Sequence, residues 1–76
     1  MNRRPRVTGS EVVETLKTAG FAVLRIKGSH YFMSHGDGRR TVIPVHSSDT
    51  LGPGLLLKIL RDCGIEMRTF ENLLKR

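Results

Sequence analysis

Phe21-Ala22-Val23-Leu24-Arg25-Ile26-Lys27-Gly28-Ser29-His30-Tyr31-Phe32-Met33-Ser34-His35 is the stretch whose reading decides the fold. Two runs that alternate like strands, Phe21 to Lys27 and His30 to His35, are joined by Gly28-Ser29. A two-residue link beginning with glycine predicts a tight hairpin, because glycine supplies the positive φ that primed turns need. The register follows from the turn. Lys27 pairs with His30, Ile26 with Tyr31, Arg25 with Phe32 and Leu24 with Met33. A third run, Arg40 to Val45, follows the turn-forming Gly36-Asp37-Gly38. That second hairpin pairs His35 with Arg39, Met33 with Thr41, Phe32 with Val42 and Tyr31 with Ile43.

Side chains alternate along each strand, and cross-strand partners share a face. Both hairpins predict one partition. Leu24, Ile26, Tyr31, Met33, Thr41, Ile43 and Val45 form the core face. Arg25, Lys27, His30, Phe32, Ser34, Arg40, Val42 and Pro44 form the outer face. A slip of one residue would drive the cations inward, so the pattern resists it. Pro44 suits an edge strand, which fits a third and last strand.

Helices flank this sheet. Thr8 and Glu11 have capping-box spacing, and Val12, Val13, Leu16 and Ala19 make one apolar stripe that stops at Gly20. A second helix opens near Pro53 or Gly54, buries Leu56, Ile59, Leu60 and Cys63, and ends at Gly64. A short last helix carries Met67, Phe70, Leu73 and Leu74 at helical spacing. The fold class is α+β: an α-β-β-β-α order with an extra C-terminal helix. Its three-stranded antiparallel sheet has helices on one face. The order matches a double-stranded-RNA-binding-domain-like core.

At 76 residues the chain is one small domain, expected over residues 8–76 behind a basic arm at residues 1–7 that carries Arg3, Arg4 and Arg6. A domain of this size buries only about 60% of its unfolded surface. No apolar run approaches a membrane span and no secretion leader is visible, so the expected location is cytoplasmic. One cysteine, Cys63, excludes an intramolecular disulfide and reads as a small core residue. Thirteen basic against seven acidic residues give a formal charge of +6. That balance favours a polyanion or an acidic protein and does not choose between them.

Three histidines, His30, His35 and His46, are the groups suited to proton transfer near neutral pH. His35 falls on the inward face and reads as structural. His46 ends the third strand near His30 and is a secondary candidate. Metal-ligand spacing is absent, and no cofactor is expected. His30 combines a fixed place beside the turn with a cation across from it. A base there can take the proton of a ribose 2′-hydroxyl, and Lys27, Arg25 and Arg40 can bind and stabilise phosphate. Phe32 either stacks on a base or packs against a partner.

Gly20-Phe21, Lys27-Gly28-Ser29-His30, Gly38-Arg39-Arg40-Thr41, Pro44-Val45-His46, Pro53-Gly54 and Cys63-Gly64-Ile65 together resemble the HicA (YcfA-like) toxins of bacterial toxin–antitoxin systems. The resemblance runs from about Ser10 to Phe70. It implies a double-stranded-RNA-binding-like fold and an mRNA interferase, an endoribonuclease with mRNA as substrate, and the chemistry read at His30 is expected to be metal-independent. It also implies a HicB-type antitoxin that masks the active face. The family's catalytic histidine falls on His30 and its preceding glycine on Gly28. Cys63 stands where an alanine is expected. Two other readings compete: a non-catalytic RNA-binding module, and a pure protein-interaction domain.

Overall fold

The structure, a computed structural model, describes residues 6–74. The chain runs α1 (Gly9–Thr18), β1 (Phe21–Lys27), β2 (His30–His35), β3 (Arg40–Pro44), α2 (Pro53–Cys63) and α3 (Met67–Leu74). The strands form one antiparallel sheet in the order β1-β2-β3, so the α+β expectation of α-β-β-β-α with a further short helix is what the fold is.

Local chemistry accounts for the element ends. Thr8 Oγ1 accepts from the Glu11 backbone N–H at 3.1 Å, and the Glu11 carboxylate accepts from the Thr8 N–H at 2.8 Å. This reciprocal box satisfies two of the unpaired donors that every helix start leaves. Pro53 opens α2, and Gly64 closes it in the left-handed conformation. The third strand stops one residue before the expected Val45.

The core sits between the inner sheet face and the helices. Val12, Val13 and Leu16 of α1, Leu56, Ile59, Leu60 and Cys63 of α2 and Phe70 of α3 pack on Phe21, Met33 and Ile43. Each side chain of Leu or Phe size contributes about 1.5–3 kcal/mol when fully buried. Of the expected basic arm at residues 1–7, only Arg6 and Val7 are described. Met1 to Pro5 lie outside the described residues, but Val7 is buried and its carbonyl accepts from the Leu51 N–H at 2.8 Å. Thr8 also bridges to Thr50. Gly9 begins α1 hard against the end of β3, where a Cβ would overlap the Pro44 carbonyl oxygen.

The predicted register holds for both hairpins except at one point. Lys27, Ile26 and Arg25 pair with His30, Tyr31 and Phe32, but Met33 pairs with Val23 rather than Leu24. A β-bulge at Leu24 takes up the extra residue. The physical reason lies in the composition of β1. Strict alternation cannot bury Phe21 and also keep Arg25 in register opposite Phe32 on the outer face. With the bulge Phe21 and Val23 turn inward and Arg25 and Lys27 stay outward. Leu24 is consequently not a core residue: it is 61% exposed. Ile26 keeps its inward register but is 54% exposed, because it lies on the edge strand beyond the helical cover. Met33, Thr41 and Ile43 are buried as expected, while Tyr31 and Val45 are half-buried.

His35 is held by structure. Its ring meets Phe21 edge-on with centroids 5.1 Å apart, and its Nδ1 accepts from the Asp37 N–H at 3.1 Å. Arg39 clamps the same turn to α2. Its Nε donates to the Asp37 carboxylate at 2.9 Å, its guanidinium lies over Phe21 at 5.2 Å, and it reaches the Cys63 carbonyl at the end of α2. A cation there also complements the negative end of the helix dipole. The Arg39 hydrogen bonds hold the Asp37 carboxyl below its ordinary range.

Cys63 is fully buried, and that burial, with Asp62 beside it, pushes its thiol up to about 11. The thiol is therefore protonated at neutral pH, and only thiolate reacts readily with disulfide reagents. Native protein is expected to react with an aromatic disulfide reagent at least tenfold more slowly than denatured protein, read by absorbance. The raised value favours the fold at pH below 9.0, the unperturbed value, and that contribution is lost as pH rises towards 11.

Candidate functional site

The outer sheet face is ordered in three cross-strand rows. Lys27, His30 and Pro44 make the row nearest the first turn. Arg25, Phe32 and Val42 make the second, and Ala22, Ser34 and Arg40 the third. All the sequence-predicted cations therefore share the face with His30. Arg25, Lys27, His30 and Arg40 are exposed, while Phe32 is half-buried.

Gly28 has φ +60 and Ser29 has a negative φ, the pattern of a type II′ turn with glycine in its first central position. A Cβ on Gly28 would meet nothing within 4 Å, so it is backbone conformation, not room, that calls for glycine. The turn is tied to the chain after β3. The Val45 N–H donates to the Ser29 carbonyl at 2.7 Å, and Ser29 Oγ lies 3.4 Å from His46 Nε2. Two histidines thus flank one serine: His30 follows it in sequence, and His46 touches it across space. Among the described residues nothing hydrogen-bonds the His30 ring, which faces solvent.

In the second row the Arg25 guanidinium lies over the Phe32 ring, 4.7 Å from its centroid. The two-residue turn sets Arg25 opposite Phe32, and the bulge at Leu24 lets Phe21 turn inward without moving Arg25 off that face. Such a contact contributes about 0.5–1 kcal/mol at an exposed site and holds Arg25 flat on the sheet. Phe32 is therefore covered on one side by Arg25.

A concavity of about 430 Å³ lies over the second and third rows and not over His30. It is lined by Leu24, Arg25, Phe32, Arg40 and Val42, with Lys58 and Asp62 from α2. Asp62 Oδ2 accepts from Thr41 Oγ1 and from Lys58 Nζ, each at 3.1 Å. Lys58 and Asp62 are site residues that the sequence pattern does not mark. Their i,i+4 spacing marks an ion pair on the exposed side of a helix, but only docking of α2 along β3 brings them to the edge of this concavity. His35 is on the other side, against Phe21. Among the described residues no three His, Cys, Asp or Glu side chains cluster as a metal site, and no helix is long and apolar enough to cross a membrane.

A basic, solvent-facing sheet surface carrying one unencumbered histidine at a glycine turn is the arrangement expected for contact with a polyanion. No curated protein matches the chain. Residues 9–65, from the start of α1 to the residue after the Gly64 helix stop, match the family described as the HicA toxin of bacterial toxin–antitoxin systems. That match spans three-quarters of the sequence and every element that builds the outer face, so the chain belongs to the HicA family and is the toxin of a toxin–antitoxin system.

Proposed function

We propose that this toxin is a metal-independent endoribonuclease that cuts single-stranded mRNA and so blocks translation. The observation that carries this reading is His30: exposed, in cross-strand register with Lys27 and fixed by the type II′ turn. His30 acts as general base on a ribose 2′-hydroxyl. The oxygen so activated attacks the adjacent phosphorus, and the bond to the 5′-oxygen of the next nucleotide breaks. The products are a 2′,3′-cyclic phosphate and a 5′-hydroxyl. A positioned histidine is the side chain most often used for such proton transfer.

Charge builds on the phosphorane oxygens in the transition state. Lys27, directly across from His30, is the cation nearest that charge, and Arg25 and Arg40 hold the flanking backbone. His46, against Ser29, supplies the second ionisable group at this end of the sheet and protonates the leaving oxygen. Gly28 lets the RNA backbone approach without a Cβ in the way. A HicB-type antitoxin neutralises the toxin by covering this basic face.

The test is incubation of purified protein with a defined mRNA in chelator. Cleavage to products with cyclic-phosphate ends is expected, falling as salt is raised because phosphate contacts release counterions. RNA binding without any product would instead select the non-catalytic binding module.

A further inference from the structure

The concavity beside the histidine row shares Arg25 and Arg40 with the reading above, but its other lining residues, Leu24, Phe32, Val42, Lys58 and Asp62, have no part in that chemistry. Its size falls within the range of small-molecule sites, about 300–1,000 Å³. One wall is the Arg25 guanidinium stacked on Phe32. Leu24, set out by the bulge, and Val42 are both exposed apolar side chains that line it. Arg40 and Lys58 add positive charge at the rim, and Asp62 adds one carboxylate. Both hydrogen bonds made by that carboxylate fall on Oδ2. Among the described residues Oδ1 accepts none.

We propose that this concavity is a base-recognition subsite, which takes one unpaired nucleobase of the RNA and favours guanine. The proposal rests on the reading of this chain as an RNA-acting toxin and names what it selects. Three features of the site argue for a base. A guanidinium plane backed by an aromatic ring, as Arg25 is by Phe32, is a stacking partner for an unstacked base. The exposed apolar groups Leu24 and Val42 gain by being covered by a ring. The rim cations lie where the sugar–phosphate chain has to pass.

Asp62 supplies the selection. A carboxylate oxygen accepts and cannot donate, so it favours a base edge rich in N–H groups. Guanine presents its ring N1–H and its amino group side by side. Adenine and cytosine present an amino group next to a ring nitrogen acceptor. Uracil presents one N–H between two carbonyl oxygens, which a carboxylate repels. The bonds from Thr41 and Lys58 hold the Asp62 carboxylate in place, which limits how far it can turn to suit a poorer edge.

The experiment uses His30→Ala protein, so that substrate stays intact, and dye-labelled uridine oligomers carrying a single guanine, adenine or cytosine. Anisotropy is expected to show the guanine oligomer binding about tenfold or more tighter than all-uridine RNA. In the doubly substituted protein with Asp62→Asn, that ratio is expected to fall below about threefold, because an amide can also donate. Val42→Trp, which fills the hollow from a strand position where aromatics are tolerated, should remove the preference as well. Equal binding of the four oligomers overturns the subsite. So does a guanine preference that both variants retain, and so does the absence of RNA binding with only a protein partner seated there. If guanine is preferred but wild-type protein yields no cleavage products, the subsite stands and the nuclease reading fails.

Discussion

His30→Ala is expected to lower RNA cleavage by about 10²–10⁴-fold, the usual worth of a positioned general acid or base, or roughly 3–5 kcal/mol of barrier. The same substitution should leave stability almost untouched. The ring is exposed, and among the described residues it has no hydrogen-bond partner. Substitutions at such surface positions change stability by about 0.5 kcal/mol or less. The measurement is paired: initial cleavage rate in chelator, and thermal unfolding of both proteins. Arrest of growth on expression should disappear along with cleavage. A variant that cleaves at the wild-type rate would remove His30 from the mechanism. A variant that loses activity only because its melting point collapses would remove it too, since the defect would then be structural.

The second large effect is expected at the other end of the chain. Phe70 is 0% exposed and packs into the core from α3, beyond Ile65, where the family match ends. Phe70→Ala is expected to cost about 3–5 kcal/mol, made up of lost transfer energy and the cavity left behind. A chain of this length has roughly 4–11 kcal/mol of total stability at about 0.05–0.15 kcal/mol per residue. One side chain thus carries a large share of it. The melting point should fall by roughly 12–40 °C, at about 4–8 °C per kcal/mol for a domain of this size. Phe70→Leu should recover most of the loss. A melting point within a few degrees of wild type for Phe70→Ala would mean that α3 does not complete the core.

These two residues divide the molecule into a surface that acts and a core that holds it flat. The link between them is short. Arg39 ties the β2–β3 turn to the end of α2, and Val45 and His46 tie the tail of β3 back to the Ser29 turn.

Most of this arrangement was legible in the sequence because it depends on nearest neighbours along the chain. A capping box, a proline start and a glycine stop each act within one helical turn, and Thr8, Glu11, Pro53 and Gly64 do what their types dictate. The Gly28-Ser29 turn sets the pairing of Lys27 with His30 by loop length alone, and that pairing puts cations and histidine on one face. The tertiary structure alone decided three things. Alternation in β1 allowed two inward sets, and the bulge at Leu24 was selected because helix packing rewards burying Phe21 and Val23 while Arg25 stays with Phe32. The exposure of Ile26 depends on where the helices stop covering an edge strand, which periodicity does not encode. The concavity that joins Leu24, Arg25 and Phe32 to Lys58 and Asp62 needs α2 docked along β3, where Thr41 and Asp62 meet from 21 positions apart along the chain. Short-range chemistry decided which side chains face the solvent together. Long-range packing decided the shape of the hollow between them.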